Sequence, residues 1–370
     1  SYICEKVRNE KVRNMENPFK FGTIVEDSFF TDRVSERLYV SEILNSANHL
    51  ILISPRRYGK SSLVHEVLKK IDRPSILINL QSVTNVQQLA GMIIRHTLSK
   101  FPLERIKYYI AHFRFVPTIS VNPLTDGIDI SFQPGVDAQV LLEDAFAMIE
   151  KVGERKRMIV VFDEFQEVLS IDKNLDKQLR ALMQVQQHVN YIMLGSQESM
   201  MLQIFEKKKS PFYHFGVLMR LQKIPYADFM TYISTRLQQV CPAESAESFA
   251  KEVLEFTQCH SYYAQQLSFQ LWSVLQKGKT DADPVKAAIK EVVSQHDFDY
   301  ERLWQTLGKT DKRTLQLVAN EDVSLNQNHG MPTSTLFSSL KRLTMQGFLL
   351  KEETYKIDDP FFKLWVNAHL

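Results

Sequence analysis

The stretch HLILISPRRYGKSSLVHEVL, residues 49–68, constrains the fold of this chain more than any other segment. Its first part, HLILIS, is a short continuous apolar run with β-branched content, which is typical of a strand buried on both faces of a parallel sheet. Apolar residues then recur at helical spacing in SSLVHEVLKKI, so the order is strand, loop and helix. The loop contains Gly-Lys-Ser, which in this context predicts a phosphate-binding loop at the start of a helix.

The predicted loop supplies the groups that hold the phosphates of a nucleotide. Backbone N–H groups of the loop and of the first helical turn would face the phosphates, where the helix dipole favours negative charge. We expect Lys60 to lie along the phosphate chain and the Ser61 hydroxyl to ligate Mg²⁺. The predicted nucleotide-binding residues of the loop are Pro55, Arg56, Arg57, Tyr58, Gly59, Lys60, Ser61 and Ser62.

One position of the loop departs from the usual pattern. The pattern G-x-x-x-x-G-K-[ST] opens with a glycine, and this chain has Ser54 there. Glycine can adopt backbone angles closed to other residues, so the substitution bears on how sharply the chain turns as the strand ends. Serine is small, however, and Pro55 restricts the next φ, so we expect the turn to survive. The alternative is a surface loop with a lone lysine.

A second apolar strand, MIVVF, follows about 100 residues later and ends in adjacent carboxylates, Asp163 and Glu164. Phosphoryl transfer to water needs one carboxylate that holds magnesium and one group that orients or deprotonates the attacking water. We expect Asp163 in the first role and Glu164 in the second. The alternative, a charged turn that ends a buried strand, is common for such a stretch taken alone.

A third apolar strand, NYIMLG, stops at Ser196 and Gln197. A polar side chain at such a strand end can contact the γ-phosphate or the attacking water, and we expect Ser196 in this catalytic role, with Gln197 as the alternative. Ser196 could instead cap the helix predicted for ESMMLQIF.

The order of these elements resembles the archaeal-type ATPases, a STAND-type branch of the AAA+ P-loop ATPases. The segments that carry the resemblance are NPFKFG, FFTDRVSE, PRRYGKSSL, VVFDEF, LGSQESMM, SPFYHF and DDPFFKLW. The resemblance implies binding of ATP or ADP with Mg²⁺, ATP hydrolysis, and a nucleotide state that controls domain packing and partner binding. It also implies that Asn17, Pro18 and Phe19, with the segment around Phe30 and Arg33, lie over the adenine side of the nucleotide. The same aromatic residues could instead be core packing.

Two departures from the family bear on catalysis and on the lid. Where relatives often have Tyr-Gly-Arg after the third strand, this chain has Tyr213-His214-Phe215. If the family arginine stabilises charge on the transferring phosphate, its loss at Phe215 predicts slow hydrolysis, with Arg220 as the nearest substitute. In the lid, the place of a glycine that is common in the family before a proline-aromatic pair is taken by Cys259-His260-Ser261-Tyr262. His260 or Tyr262 could reach the nucleotide, although a core histidine is the commoner case.

These patterns predict an α/β fold, in which helices sandwich the parallel sheet of a P-loop NTPase and an all-α lid and a winged-helix domain follow. The predicted domains are a leader at 1–20, an ATPase domain at 21–224, a helical lid at 225–300 and a winged helix at 301–370. Two period-2 segments around Asp126-Gly127 predict a β-hairpin inserted near 117–133, as a partner-contacting element or a decorated loop.

The winged helix raises the question of DNA binding. Its predicted recognition helix, STLFSSLKRLTMQGFL, offers only Lys341 and Arg342 as basic residues, and the wing adds Lys351 beside two glutamates. With a net charge of only +2, such a mixed surface favours a protein-contact or packing role over DNA binding. An origin-recognition-like DNA-binding ATPase and a non-hydrolysing nucleotide scaffold remain as alternative functions.

Composition indicates the cellular compartment of the protein and the classes of partner that it contacts. The three cysteines are scattered without a metal-ligand pattern, which fits a reducing compartment and no zinc site. No apolar run approaches the roughly 20 residues that cross a membrane, and the first residues lack a signal-peptide layout. We therefore expect a cytoplasmic protein with a nucleotide, a protein partner and no membrane among its contacts, and leave its oligomeric state open.

Overall fold

The computed structural model describes residues 15–31, 33–111, 113–114, 118–122, 127–131, 135–278, 283–320 and 330–369. They fall into two compact units: residues 33–222 form the first, and the residues up to 32 and from 223 onward form the second. Most of the predicted leader at 1–20 lies outside the described residues. Across the described ranges, none of the helices combines the length and the apolar content that crossing a bilayer requires.

The first unit is built from alternating strands and helices. In chain order its elements are α1 (Val34–Asn45), β1 (Leu50–Ile53), α2 (Lys60–Lys70), β2 (Ser75–Asn79), a 3-10 turn (Leu80–Ser82), α3 (Val86–Leu98), α4 (Leu103–Ile110), β3 (Thr118–Asn122), β4 (Gly127–Ser131), α5 (Ala138–Gly153), β5 (Met158–Asp163), a 3-10 turn (Phe165–Glu167), α6 (Val168–Ile171), α7 (Leu175–Gln184), β6 (Val189–Gly195), α8 (Glu198–Phe205) and β7 (Val217–Arg220).

Five of these strands form one sheet in the order β2-β5-β6-β1-β7, and every pair in it is parallel. All four residues of β1 and all seven of β6 are buried, as expected for strands covered on both faces. Alternate residues of β1, Ile51 and Ile53, pack into a core shared with α3 and α5. The predicted parallel sheet with flanking helices is confirmed.

The strand order decides where the polar strand ends meet. Strand β6 lies between β1 and β5, with Ile53 level with Gly195 and Met193 level with Phe162. Because all three strands run in the same direction, the residues that follow them emerge at one edge of the sheet. The phosphate loop, Ser196 and the end of β5 therefore share that edge.

The predicted hairpin region contains a two-stranded antiparallel ladder. Strands β3 and β4 pair from Thr118 opposite Ser131 to Asn122 opposite Gly127. The turn that was expected to contain Asp126 lies outside the described residues.

The opposite edge of the sheet, where the parallel strands begin, holds a partly buried histidine. The ring of His49 stacks on Phe215 with a centroid separation of 4.5 Å, and its Nδ1 accepts the N–H of Tyr191 at 3.2 Å. Burial, together with the charges of Arg180 and Arg157, lowers the pKa of His49 to about 4. The folded state therefore favours the neutral form of the His49 ring.

We expect this histidine to make the protein acid-sensitive. An unfolded histidine titrates near pH 6.5, whereas folded His49 titrates near 4, so the unfolded state binds more protons between these values. The stabilisation is full above about pH 6.5 and is lost as the pH falls towards 4. His49→Gln keeps an acceptor without a titrating ring, and urea unfolding should show it losing about 2 kcal/mol less than wild type between pH 7.5 and 4.5. Exposed His214→Gln is the control, and equal losses in all three proteins would contradict the assignment.

The second unit is mostly helical. Besides a 3-10 turn (Asp27–Phe29), its elements in chain order are α9 (Tyr226–Leu237), α10 (Ala243–Thr257), α11 (Ser261–Gln276), α12 (Pro284–Thr306), α13 (Lys309–Ala319), α14 (Thr333–Met345), β8 (Leu349–Lys351), β9 (Tyr355–Ile357) and α15 (Pro360–Ala368). Strands β8 and β9 form an antiparallel pair.

The segment before the first unit is part of this second core. Phe19 is buried edge-on against Tyr232 of α9 and Trp272 of α11. Asn17 holds the segment in place, because its Nδ2 donates to the carbonyl of Phe269 and its Oδ1 accepts the N–H of Phe19. Phe19 therefore packs in a core, which was the alternative that the sequence analysis kept for this aromatic residue.

The C-terminal DDPFFKLW segment has a structural role in the same unit. Asp359 caps α15 by accepting the N–H groups of Phe361 and Phe362, and its other oxygen accepts the hydroxyl of Tyr300 at 3.0 Å. His260 lies nearby in the core, with its Nε2 3.7 Å from Asp358. This places His260 among core residues, the commoner of the two roles considered for it.

Candidate functional site

The phosphate loop turns without strain at Ser54. The N–H of Ser54 donates to the carbonyl of Gly195 at 3.3 Å, which extends the strand ladder by one residue, and its φ is not positive. The left-handed positions of the loop come later, at Arg57 with φ 64° and at Gly59 with φ 90°. Gly59 is the N-cap residue of α2, where glycine has the lowest conformational cost. The substitution at Ser54 therefore leaves the turn intact.

Lys60 is the first residue of α2 and is buried beneath the loop. Its Nζ donates to the carbonyl of Ser54 at 2.9 Å, the carbonyl of Pro55 at 3.1 Å and the hydroxyl of Ser54 at 3.2 Å. Burial lowers the pKa of Lys60 to about 8, although the charges of Glu164 and Asp163 oppose that shift. The loop carbonyls thus hold the ammonium group near the carboxylates of Glu164 and Asp163. In this position it can bind a phosphate.

Ser61 and Asp163 form the oxygen pair suited to a divalent cation. The Ser61 hydroxyl donates to Oδ2 of Asp163 at 3.0 Å, across 102 residues of sequence. Burial raises the pKa of the Asp163 carboxyl, and the hydrogen bond from Ser61 opposes that shift. Adjacent ligands of an octahedral Mg²⁺ lie about 3 Å apart, and Mg²⁺ in nucleotide sites takes one or two protein oxygens plus phosphates. The donor set therefore fits Mg²⁺.

Glu164 is held by two neighbours in a way that the sequence did not indicate. Its Oε2 accepts the Ser196 hydroxyl at 2.6 Å and also the side-chain amide of Gln166. Its backbone is left-handed, with φ 54°, and its N–H donates to Asp163. The two side-chain bonds hold the Glu164 carboxylate in one position.

Ser196 does not cap the following helix. Helix α8 begins at Glu198, its N-cap is Gln197, and no side chain caps it. The Ser196 hydroxyl donates to Glu164 instead, so the capping alternative is not what the structure shows.

Arg33, whose segment the family resemblance placed over the adenine, also supports the phosphate loop, a role that the sequence did not indicate. It is 4% exposed, and its guanidinium donates to the carbonyls of Tyr58 at 3.1 Å and Gln222 at 2.9 Å while pairing with Glu36 at 2.9 Å. The spacing of Arg33 and Glu36 indicates an ion pair at a helix start. No local pattern links Arg33 to the loop.

The other predicted site residues divide between the two units. Arg56 and Arg57 are exposed, whereas Ser62 is buried in α2. Asn17, Pro18 and Phe19 belong to the second unit, where Asn17 and Phe19 make the contacts described above. The structure thus brings together the loop, Asp163, Glu164 and Ser196 within one unit, and leaves the proposed adenine residues in the other.

Phe215 lies far from this site. It stacks on His49 where β1 begins, and β1 spans four residues, or about 13 Å, before the loop starts. An arginine at this position could not reach a phosphate bound to the chain's own loop. The geometry therefore gives position 215 no direct contact with that phosphate, and the effect of Phe215 on the hydrolysis rate stays a prediction.

Arg220 does end at the phosphate edge. It pairs with Ile53 in the sheet register, and its guanidinium contacts Glu198 at 3.2 Å and Glu206 at 3.8 Å. The carboxylates of Glu198 and Glu206, at the start of α8 and just after its end, thus partly compensate the charge of Arg220.

Comparisons with known proteins return structures only. No protein-family model and no curated protein matches the sequence. The Walker-type ATPase PABY2304 of Pyrococcus abyssi is 18% identical with a TM-score of 0.64, over 96% of this chain and 99% of that chain. The Aeropyrum pernix ORC2 protein, in its ADPNP-ADP complexes, is 15% identical with a TM-score of 0.56, over 95% and 98%. The Aeropyrum pernix ORC1 protein in complex with DNA is 13% identical with a TM-score of 0.50, over 92% and 93%.

At such low identity the likeness concerns the fold. The chain shares with these structures the arrangement of a P-loop sheet domain followed by a mostly helical region, over nearly its whole length. This chain has the fold of the P-loop ATPases.

Proposed function

We propose that this protein binds ATP with Mg²⁺ and hydrolyses it slowly. The observation that carries the proposal is the convergence, at one edge of the sheet, of Lys60, the Ser61–Asp163 pair and the Glu164–Ser196 pair. A chance match to a phosphate loop would not bring a divalent-cation ligand pair and a held carboxylate to the same edge. Structural neighbours that include a Walker-type ATPase and an ADPNP-ADP complex support the choice of nucleotide.

Each residue has a defined task in this mechanism. Lys60 and the loop N–H groups bind the β- and γ-phosphates, and the dipole of α2 adds to their field. Mg²⁺, held by Ser61 and Asp163, would neutralise charge that develops on the phosphates. Glu164 accepts the proton of the attacking water, while Ser196 and Gln166 hold its carboxylate in place.

We further propose that the protein is a STAND-type switch. The described order α13, α14, the β8–β9 hairpin and α15 supports a winged helix at 301–370, behind a helical lid at 225–300. ATP would change domain packing by contacting the ATPase domain at 21–224 and the lid together, because a ligand shifts an equilibrium only through different affinities for its states. The proposed adenine contacts on the lid side are Asn17, Pro18 and the backbone of Phe19, because the Phe19 ring is buried in the core.

Titration calorimetry and phosphate release test the proposal together. We expect wild-type protein to bind Mg-ATP and Mg-ADP and to release phosphate in a Mg²⁺-dependent manner. Binding without phosphate release over many hours would support the non-hydrolysing scaffold instead. Absence of binding at millimolar Mg-ATP would remove both functions.

DNA binding through the winged helix is a weaker alternative. One neighbour of this fold was solved with DNA. In this chain, however, Arg342 donates from Nε to buried Asp311 at 2.9 Å, so one of the two basic residues of α14 already has a carboxylate partner. Duplex DNA titrations at 50 and 200 mM salt, with Lys341→Ala beside wild type, decide the matter. A salt-dependent affinity that falls in the variant would favour the alternative.

A further inference from the structure

Lys60 engages all the protons of its ammonium group within the loop. A lysine ammonium has three N–H donors and no acceptor. Its three acceptors here are the carbonyl of Ser54, the carbonyl of Pro55 and the hydroxyl of Ser54. A phosphate oxygen that binds Lys60 must therefore replace one of these acceptors.

The Ser54 hydroxyl is the acceptor that is most readily replaced. Its bond to Lys60 is the longest of the three, at 3.2 Å, and it belongs to a side chain that can rotate, whereas the other two acceptors are backbone oxygens. The hydroxyl also donates to the Pro55 carbonyl at 3.0 Å, so it keeps a partner when Lys60 leaves. A glycine at position 54 would offer Lys60 the same two carbonyls and leave its third donor for phosphate.

The serine at position 54 changes the contacts of Lys60 and not the backbone conformation of the loop. Because Ser54 does not occupy a positive φ, neither serine nor glycine is required by the backbone. Ser54 is 3% exposed, so water does not compete for its bond with Lys60. What distinguishes this loop from a glycine loop is therefore the hydroxyl itself.

We propose that the Ser54 hydroxyl competes with the nucleotide phosphates for Lys60 and so lowers the affinity of this site for ATP and ADP. Ser54 is a positioning residue: it holds the lysine in the loop before the nucleotide binds and releases it when a phosphate arrives. The proposal rests on the proposed nucleotide binding and adds a residue that tunes it.

Calorimetric titrations of Ser54→Ala with Mg-ATP, Mg-ADP and AMP test the competition. Alanine removes the hydroxyl without the backbone freedom that glycine adds. We expect the variant to bind ATP and ADP about three- to tenfold more tightly than wild type, since a hydrogen bond to a charged group no longer has to be exchanged. AMP, which has neither a β- nor a γ-phosphate, should bind with unchanged affinity. Ser99→Ala, whose hydroxyl donates to the His96 carbonyl, is the matched control.

The outcomes separate this proposal from the proposed function. Unchanged or weaker ATP binding by Ser54→Ala, while wild type binds normally, overturns the competition and leaves the proposed function standing. A gain that extends equally to AMP would indicate a general change of the loop, also against the proposal. Failure of wild type to bind any nucleotide removes the proposed function itself.

A second measurement does not require nucleotide. In protein labelled with ¹⁵N-lysine, with Lys60→Arg to assign the signal, the Nζ protons of Lys60 should exchange slowly with water in wild type. They should exchange several-fold faster in Ser54→Ala. Equal exchange rates would show that the hydroxyl does not hold the lysine.

Discussion

Replacement of Lys60 by alanine should abolish nucleotide-dependent stabilisation. In wild type, ATP at about 100 times its dissociation constant would stabilise the fold by about 2.7 kcal/mol, which raises the melting temperature by several degrees. Lys60 would give the phosphates one charge-assisted hydrogen bond, which contributes about 1.5–3 kcal/mol, and a charge–charge attraction that contributes a similar amount. Their loss lowers affinity by a factor on the order of 10² to 10⁴. At the same ATP concentration, differential scanning fluorimetry should show no shift.

The control for this prediction lies on the same helix. Lys70 is exposed in the last turn of α2, about 15 Å from Lys60, so Lys70→Ala changes the same charge without touching the loop. Each variant is compared with its own melting temperature in the absence of nucleotide, because removal of Lys60 takes one donor away from each of the carbonyls of Ser54 and Pro55. A wild-type shift in Lys60→Ala would falsify the assignment of the loop as the phosphate site.

The main residues of this candidate site could be identified from the sequence because each lies at the end of a strongly patterned strand. Continuous apolar runs located β1, β5 and β6, and the polar residues that follow them were read directly. The ends of these three strands come together because β6 lies between β1 and β5 in the sheet. That strand order depends on packing between segments far apart in the chain. The sequence therefore predicted residues that the structure brings together at one edge of the sheet, but not that Ser196 would donate to Glu164.

Contacts between distant residues explain what the sequence did not reveal. The bond from Arg33 to Gln222 joins residues 189 apart, and no local periodicity encodes it. Phe215 was linked to catalysis by the family resemblance, whereas the register of β7 places it at the opposite edge of the sheet. Asn17 and Phe19 were assigned by family resemblance, and their contacts with α9 and α11 follow from the core of the second unit.

We expect the second large effect from a substitution of Glu164, whose carboxylate is held by Ser196 and Gln166. Glu164→Gln keeps the shape of the side chain and an oxygen that can accept the Ser196 hydroxyl, but an amide does not take a proton from water. We therefore expect ATP affinity within about threefold of wild type and hydrolysis slower by a factor on the order of 10² to 10⁴. Calorimetry measures the first quantity, and single-turnover phosphate release measures the second.

Two further variants make this result specific to Glu164 as the base. Glu167→Gln, in the same turn but bonded to Ser170, should hydrolyse ATP at the wild-type rate. Ser196→Ala removes the donor that orients the carboxylate and should slow hydrolysis about tenfold, with little further loss when combined with Glu164→Gln, because both changes act on one group. If Glu164→Gln retained the wild-type rate, the attacking water would have to be activated by another group. Independent losses in the double variant would instead place Ser196 on the phosphate or the water, the role that its strand-end position first suggested.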